Sequence, residues 1–328
     1  PDTATSLNNL AALYSQMGAY AKAESYGQRA LSIRETVLGS EHPDTGVSLN
    51  NLALCYEELG AYAKAEPLLQ RALAISERAL GLEHLNTAKT LSNLGAVYHR
   101  VGAYVRAELL LRRALAINEK TLGRDHLDTV PALNNLASLR QDMGDFAQAS
   151  QLFQRALTIV ERTLGPDHPT TATTLHNSAL LYQDMGDSPR AEALQKRALQ
   201  IAEKTFGLTH PNTVGALNNL AKFYIQSGQH EKAEPLASRA LAVAEKAVGP
   251  DHIVTGACFN RLGELHQKKG EYAEAERCFQ RGLMIVENAL GPNHPNTAKS
   301  YSYLAELFLQ KGEPRQADRA LALELEFP

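Results

Sequence analysis

His42, His84, His126, His168, His210, His252 and His294 stand 42 residues apart without a slip. Glycine keeps the same step twice over. One series runs Gly18, Gly60, Gly102, Gly144, Gly186, Gly228, Gly270 and Gly312, and the other Gly39, Gly81, Gly123, Gly165, Gly207, Gly249 and Gly291. Seven units of 42 residues and a last one of 34 account for all 328 residues, with nothing inserted or lost between them. So strict a period is the signature of stacked units that bury their apolar faces against one another. The rule that grants a globular domain about 150 residues therefore does not apply. The chain reads as one array with units 1–42, 43–84, 85–126, 127–168, 169–210, 211–252, 253–294 and 295–328. It starts at Pro1 rather than at a Met, and the expectation is a segment of a larger protein.

Within the first unit, Leu7, Leu10, Ala11 and Tyr14 fall at i, i+3, i+4 and i+7, one face of a helix. Gly18 is placed to stop that helix as a left-handed residue beyond its C-terminus. A second amphipathic stretch carries Tyr20, Ala23, Ala30, Leu31 and Leu38 and ends at Gly39. The linker Gly-Ser-Glu-His-Pro-Asp-Thr leads into the next unit, where Pro43 suits a first helical turn. Thr3, Thr45, Thr87, Thr129, Thr171, Thr213, Thr255 and Thr297 follow there, and either this Thr or the residue before it, Asp44 or Asn86, is a candidate N-cap. Ala23, Ala65, Ala107, Ala149, Ala191, Ala233, Ala275 and Ala317 recur where two helices must approach, a place a larger side chain would overpack.

Leu7, Leu10, Ala11, Tyr14, Ala23 and Ala30 together resemble the tetratricopeptide repeat, a helix–turn–helix unit of about 34 residues. The added Leu-Gly-x-x-His-Pro-x-Thr makes the unit similar to the longer variety found in kinesin light chains. So do Leu-Asn-Asn-Leu-Ala at 7–11 and 217–221 and Ala-Glu-Pro-Leu-Leu-Gln-Arg-Ala-Leu at 65–73. The resemblance covers the whole chain. It implies an all-α fold, a right-handed superhelical solenoid of eight repeats, with the first helices on the concave surface and the second on the convex one. Departures cluster late: Arg140 and His266 replace the first-helix aromatic, Ser178 a core Leu, and Ser188 and Pro314 the second-helix aromatic. Softer local stability is expected there.

With 44% hydrophobic and 21% charged residues and a net charge of −3, the chain lacks the basic face that nucleic acid or an anionic membrane would require. No apolar run is long enough to span a bilayer, and no signal peptide is visible. Cys55, Cys258 and Cys278 are too scattered for a disulfide framework and read as small buried hydrophobes in a reducing, cytoplasmic setting. Equivalent histidines in stacked helix pairs should lie roughly 20 Å apart, whereas a metal needs its ligands at about 2 Å. The histidines are therefore expected to bond locally in the linker. No Cys-x-x-Cys, His-Glu-x-x-His or phosphate-binding loop occurs. Neither a metal nor another cofactor is expected, and no catalytic constellation.

Arg29, Arg71, Arg113, Arg155, Arg197, Arg239 and Arg281 form one charged ladder, and Glu35, Glu77, Glu119, Glu161, Glu203, Glu245 and Glu287 another. Because the two travel together, pairing between adjacent repeats is the favoured reading over a binding stripe for acidic partners. Two amide ladders lie on the first helices. One holds Asn9, Asn51, Asn93, Asn135, Asn177 and Asn219, giving way to Arg261 and Tyr303; its neighbour holds Asn8, Asn50, Asn134, Asn218 and Asn260. Asn is a poor residue inside a helix, so its recurrence calls for a reason. Either these amides grip the backbone of an extended peptide, as the resemblance implies for the first ladder, or they bridge successive first helices. Specificity would come from positions that vary: Glu57, Glu58, His99, Arg100, Gln141, Asp142, Gln183, Asp184, Lys222, Gln226, Glu264, Lys268 and Gln310. The expected function is a scaffold or adaptor that binds a peptide or partner protein along these first helices. The other reading is a ligand-sensing arm of a multidomain switch protein. The last unit ends Ala-Leu-Glu-Leu-Glu-Phe-Pro, which leaves end-to-end self-association open.

Overall fold

The computed structural model describes residues 2–16, 19–292 and 294–325. These form sixteen α-helices and no strand: α1 (Asp2–Gln16), α2 (Tyr20–Leu38), α3 (Pro43–Glu58), α4 (Tyr62–Ala79), α5 (Leu85–Arg100), α6 (Tyr104–Leu122), α7 (Val130–Asp142), α8 (Phe146–Leu164), α9 (Pro169–Asp184), α10 (Ser188–Phe206), α11 (Pro211–Gln226), α12 (His230–Ala247), α13 (Ile253–Lys269), α14 (Tyr272–Leu290), α15 (Pro295–Gln310) and α16 (Pro314–Leu325). A 3-10 turn, Leu127–Thr129, leads into α7. Each 42-residue unit is one helix pair, and the eight pairs divide into two compact halves, residues 1–166 and 167–328. Gly18 and the terminal residues 326–328 lie outside the described residues.

The two glycine series do different work. Gly270 takes the left-handed helical conformation (φ 79°, ψ 10°) beyond α13, as expected of its series. Gly123 pairs φ 98° with ψ 153°, an extended conformation open essentially to glycine alone. In most units the carbonyl of the corresponding glycine is taken by the recurring Thr: Thr45 Oγ1 donates to Gly39 O at 2.8 Å, Thr87 to Gly81 at 2.9 Å and Thr255 to Gly249 at 2.7 Å, whereas Thr129 donates to His126 O at 2.6 Å. Thr is therefore engaged by the linker and is not the N-cap.

Nor is Asp44 or Asn86. The cap is the periodic histidine, whose Nδ1 accepts the backbone N–H two residues on: Asp44 to His42 at 3.1 Å, Asn86 to His84 at 3.1 Å, Thr170 to His168 at 3.2 Å. Val254 donates to His252 at 3.2 Å, so the donating residue's own side chain is irrelevant. The expected local hydrogen bond of the linker histidine thus turns out to satisfy an otherwise orphaned N–H of the following helix.

Packing follows the period. Ala23, Ala65, Ala107, Ala149, Ala191, Ala233, Ala275 and Ala317 are each 0% exposed, which leaves no room for a larger side chain at the crossing. Arginine and glutamate join across the repeat boundary: Arg71 to Glu35, Arg113 to Glu77 and Arg239 to Glu203, each at 2.6 Å. The second guanidinium nitrogen reaches a linker carbonyl, Arg71 to Ser40 at 3.2 Å and Arg239 to Leu208 at 3.3 Å. These are staples between neighbouring repeats. Arg281 departs by pairing with Asp251 at 2.7 Å.

The unusual first-helix residues are not left bare. Arg140 is buried and pairs with Glu108 on the preceding repeat and with Asp145 at 3.7 Å. His266 Nδ1 lies 2.6 Å from Glu271. Buried Ser178 donates to the Thr174 carbonyl at 2.9 Å.

Candidate functional site

First helices of consecutive repeats pack directly on one another, α1 on α3, α3 on α5 and α5 on α7 in the first half, α11 on α13 and α13 on α15 in the second. Within each half, second helices pack chiefly on first helices: α2 on α1 and α3, α4 on α3 and α5, α12 on α11 and α13. The first helices therefore form the closer-set row of each half, the row on which the two amide ladders lie.

One residue of α-helix is a turn of about 100°, and it separates the ladders. Asn8 and Asn50 are each only 5% exposed, wedged between first helices. Asn8 Nδ2 donates to Ser48 Oγ at 3.0 Å, Asn218 Nδ2 to Cys258 Sγ at 3.2 Å and Asn260 Nδ2 to Ser300 Oγ at 3.2 Å. These amides bridge successive first helices, whereas Asn134, half-buried, leaves its side-chain oxygen without a partner. In the other ladder Asn9 is exposed, and Asn51, Asn135, Asn177 and Asn219 are half-buried. None of these five makes a side-chain hydrogen bond to the described residues. Asn93 is the exception, donating to Asn50 Oδ1 at 2.9 Å.

The charged candidates also differ in availability. Arg100 is exposed, and its charge draws the nearby Glu57 carboxyl down less than burial pushes it up. Arg261 is spent on an ion pair with Glu264, one turn along its own helix. Lys222 is half-buried, and burial, then the like charges of Arg261 and Lys299, hold its ammonium below its ordinary value. Two further cross-repeat links were visible only as variable positions: His99 Nε2 lies 2.7 Å from Asp142, and Gln183 Nε2 donates to Gln226 Oε1 at 2.6 Å.

Cavities open in the wedges between consecutive first helices, beside the amides. One of about 280 Å³ is lined by Asn8, Asn9 and Asn51, and one of about 530 Å³ by Asn93, Asn118 and Asn135. In the second half a cavity of about 650 Å³ is lined by His176, Gln195, Asn218 and Asn219. His176 stands where other repeats have Asn or Ser, and Gln195 where they have Leu, Phe, Ala or Gly. Their side chains meet at 3.1 Å. Sequence reading passed over this pair; the signal was two departures at positions that face each other across one helix pair.

Among the described residues no three His, Cys, Asp or Glu side chains gather where they would hold a metal ion, and no helix is long and apolar enough to cross a membrane. Cys55 and Cys258 are buried, and burial pushes each thiol up to about 11, which keeps it protonated.

The family model of the tetratricopeptide repeat matches residues 2–78, 58–120, 128–204, 171–246, 212–283 and 257–326. The chain belongs to the tetratricopeptide repeat family. Its fold is similar to that of a Podosopora anserina protein built of nearly identical TPR-like repeats of the kinesin light chain kind (29% identity, TM-score 0.52, covering 63% of this chain and 98% of that one). It is also similar to a Rap protein complexed with Competence and Sporulation Factor (16% identity, TM-score 0.61, 99% and 98% covered). The apo form of the quorum sensor NprR from B. thuringiensis shares the fold as well (14% identity, TM-score 0.63, 97% and 86% covered). No curated protein matches the chain in sequence.

Proposed function

We propose that this chain is a scaffold that holds an extended peptide, or an extended segment of a partner protein, along its first helices. The observation that carries this is the row of amides at Asn9, Asn51, Asn135, Asn177 and Asn219, exposed or half-exposed and without a protein partner. Each offers two donors and an acceptor, a match for peptide backbone whatever the side chains. Asn in a helix costs up to about 0.7 kcal/mol relative to Ala, a cost paid here with no return in the free protein. The bridging amides Asn8, Asn50, Asn218 and Asn260 fall out of the proposed contact set, as does Arg261. Asn134 stays in it, with Arg100 and Lys222 as charges that would tune the choice of ligand. The likeness in fold to a protein complexed with Competence and Sporulation Factor and to a quorum sensor supports a second reading, a ligand-sensing arm of a larger protein, which would use the same row.

Panning a random peptide library against the chain and against an Asn51→Ala/Asn135→Ala variant tests the proposal. Alanine is the better helix former, so the variant should melt no earlier than the wild type. Peptides captured by the wild type should bind the variant at least about tenfold more weakly, the loss expected of roughly 1.4 kcal/mol in hydrogen bonds. Equal capture by both would remove the amide row from the binding surface.

A further inference from the structure

Seven glycines of the described residues lie within helices, and six are explained by crowding: a Cβ on Gly95 would meet Leu111 at 2.8 Å, one on Gly263 would meet Phe279 at 2.5 Å, and Gly27, Gly46, Gly256 and Gly282 are similarly close to neighbours. Gly215 differs. It sits in α11 with ordinary helical φ, and a Cβ there would meet nothing within 4 Å. Glycine inside a helix is destabilising, and neither strain nor packing in the free protein accounts for this one. Gly215 lines the 650 Å³ cavity between α9, α10, α11 and α13. The position holds Thr, Val, Lys or Pro in the first four repeats, side chains that would reach into the equivalent space.

The rest of the lining points the same way. Ala198, Ala202 and Val214 give an apolar surface, Phe206 an aromatic one, and His176 with Gln195 a polar end. No lining residue carries a formal charge, so an ionised group placed inside would lose its hydration without an opposite charge. Gln195 is 2% exposed and bonds to His176 Nδ1, which leaves imidazole Nε2 without a protein partner. Burial, opposed by the Gln195 bond and aided by the charge of Lys222, holds the imidazole below its ordinary value, so the neutral ring is the form on offer. The Gln195 amide can donate to Nδ1 or accept from it, and Nε2 then carries a proton or a lone pair. A hydroxyl serves either case, because it both donates and accepts.

We infer that this cavity is a side-chain pocket for tyrosine, taking the ring against the apolar surface and the phenol oxygen at His176 Nε2 while Asn219 at the rim holds the peptide backbone. The inference rests on the amide-row reading above and gives it a specificity. Gly215 is then the position at which a side chain would block the ring, and its cost to the helix has a reason.

The probes are N-acetyltyrosinamide, N-acetylphenylalaninamide and N-acetylleucinamide, titrated into the whole chain and followed by ligand-detected NMR and by the His176 imidazole signals, assigned through His176→Asn. The tyrosine probe should shift the His176 signals and bind about fivefold more tightly than the phenylalanine probe, the worth of one neutral hydrogen bond. The leucine probe should leave His176 unmoved. Gly215→Leu should abolish binding of both aromatic probes with a melting temperature no lower than wild type, since leucine is the better helix former. His176→Asn, which installs the residue of other repeats, should bring the two aromatic probes to equal affinity. The pocket is refuted by wild-type binding in Gly215→Leu, by an equal effect of the leucine probe, or by no shift up to the solubility limit. The Asn51→Ala/Asn135→Ala variant lies in the other half of the chain and should titrate as wild type, so loss of peptide capture there and failure of the pocket are read separately.

Discussion

Tyr98 Oη donates to Glu66 Oε1 at 2.9 Å, binding the first helix of the third repeat to the second helix of the repeat before it. Gln70 Nε2 donates to Tyr98 Oη at 3.0 Å, and the Arg106 guanidinium lies 5.7 Å from the ring centroid. Tyr56 bonds Glu24 and Tyr224 bonds Glu192 in the same way. The cation keeps company with the ring: Lys22, Lys64, Arg190 and Lys232 lie over Tyr14, Tyr56, Tyr182 and Tyr224. Where the first helix carries Arg140 or His266 instead, the cation's position is Gln148 or Glu274. A cation beside Arg140 would be repelled, and without a π face it has nothing to sit over.

Tyr98→Phe keeps the ring and the Arg106 contact while removing the hydroxyl that serves Glu66 and Gln70. A loss of about 1 kcal/mol in the urea unfolding free energy is expected, the net worth of such a bond. An unchanged midpoint would show that the hydroxyl adds nothing to joining the repeats.

His84→Ala should cost about 1 kcal/mol, because the Asn86 N–H then loses its acceptor at the start of α5. His84→Asn should retain most of that stability, Asn being a strong cap. If both variants unfold alike, capping is not what the histidine supplies.

Glycine replacement should separate the two turns. Gly270→Asn places a residue that tolerates the left-handed conformation at such a site and should be nearly neutral. Gly123→Asn forces a side chain into the extended positive-φ region and should cost about 1–3 kcal/mol. Thermal melts of the two variants side by side decide it.

The depressed imidazole of His176 makes a pH prediction with a definite sign. Above its ordinary value of 6.5 the ring is neutral whether the chain is folded or not, and stability is full. As pH falls below that value the unfolded chain takes up the proton first, and stability drains away until the folded imidazole is protonated too. His176→Asn should unfold with a shallower pH slope just below 6.5 than wild type. Identical slopes would place His176 in water rather than in the wedge.

Much of this was open to inspection in the chain itself. Period, helix ends and crossing alanines were legible because each repeat restates them, and the paired Arg and Glu ladders announced the staples. The histidine cap was missing from the candidates for a physical reason: Thr45 and Asp44 are better N-cap types than His42, but Thr45 Oγ1 is committed to the Gly39 carbonyl. Asn50 and Asn51 are indistinguishable as letters; only the wedge between α3 and α5 makes one a bridge and leaves the other free. His176 and Gln195 are departures from the period, yet nothing in a one-dimensional string says that two residues 19 apart share a cavity.

The staple from Arg71 to Glu35 recurs as Arg113 to Glu77 and Arg239 to Glu203, always from one repeat to the one before it. Remove a whole 42-residue unit of this kind, or copy one in, and the arginine at the seam still faces an acidic side chain of the repeat before it, as Arg281 does in Asp251. Length is therefore a free variable for such a chain. Tandem duplication of its gene can lengthen the array, and deletion shorten it, with no new contact having to be invented at the seam.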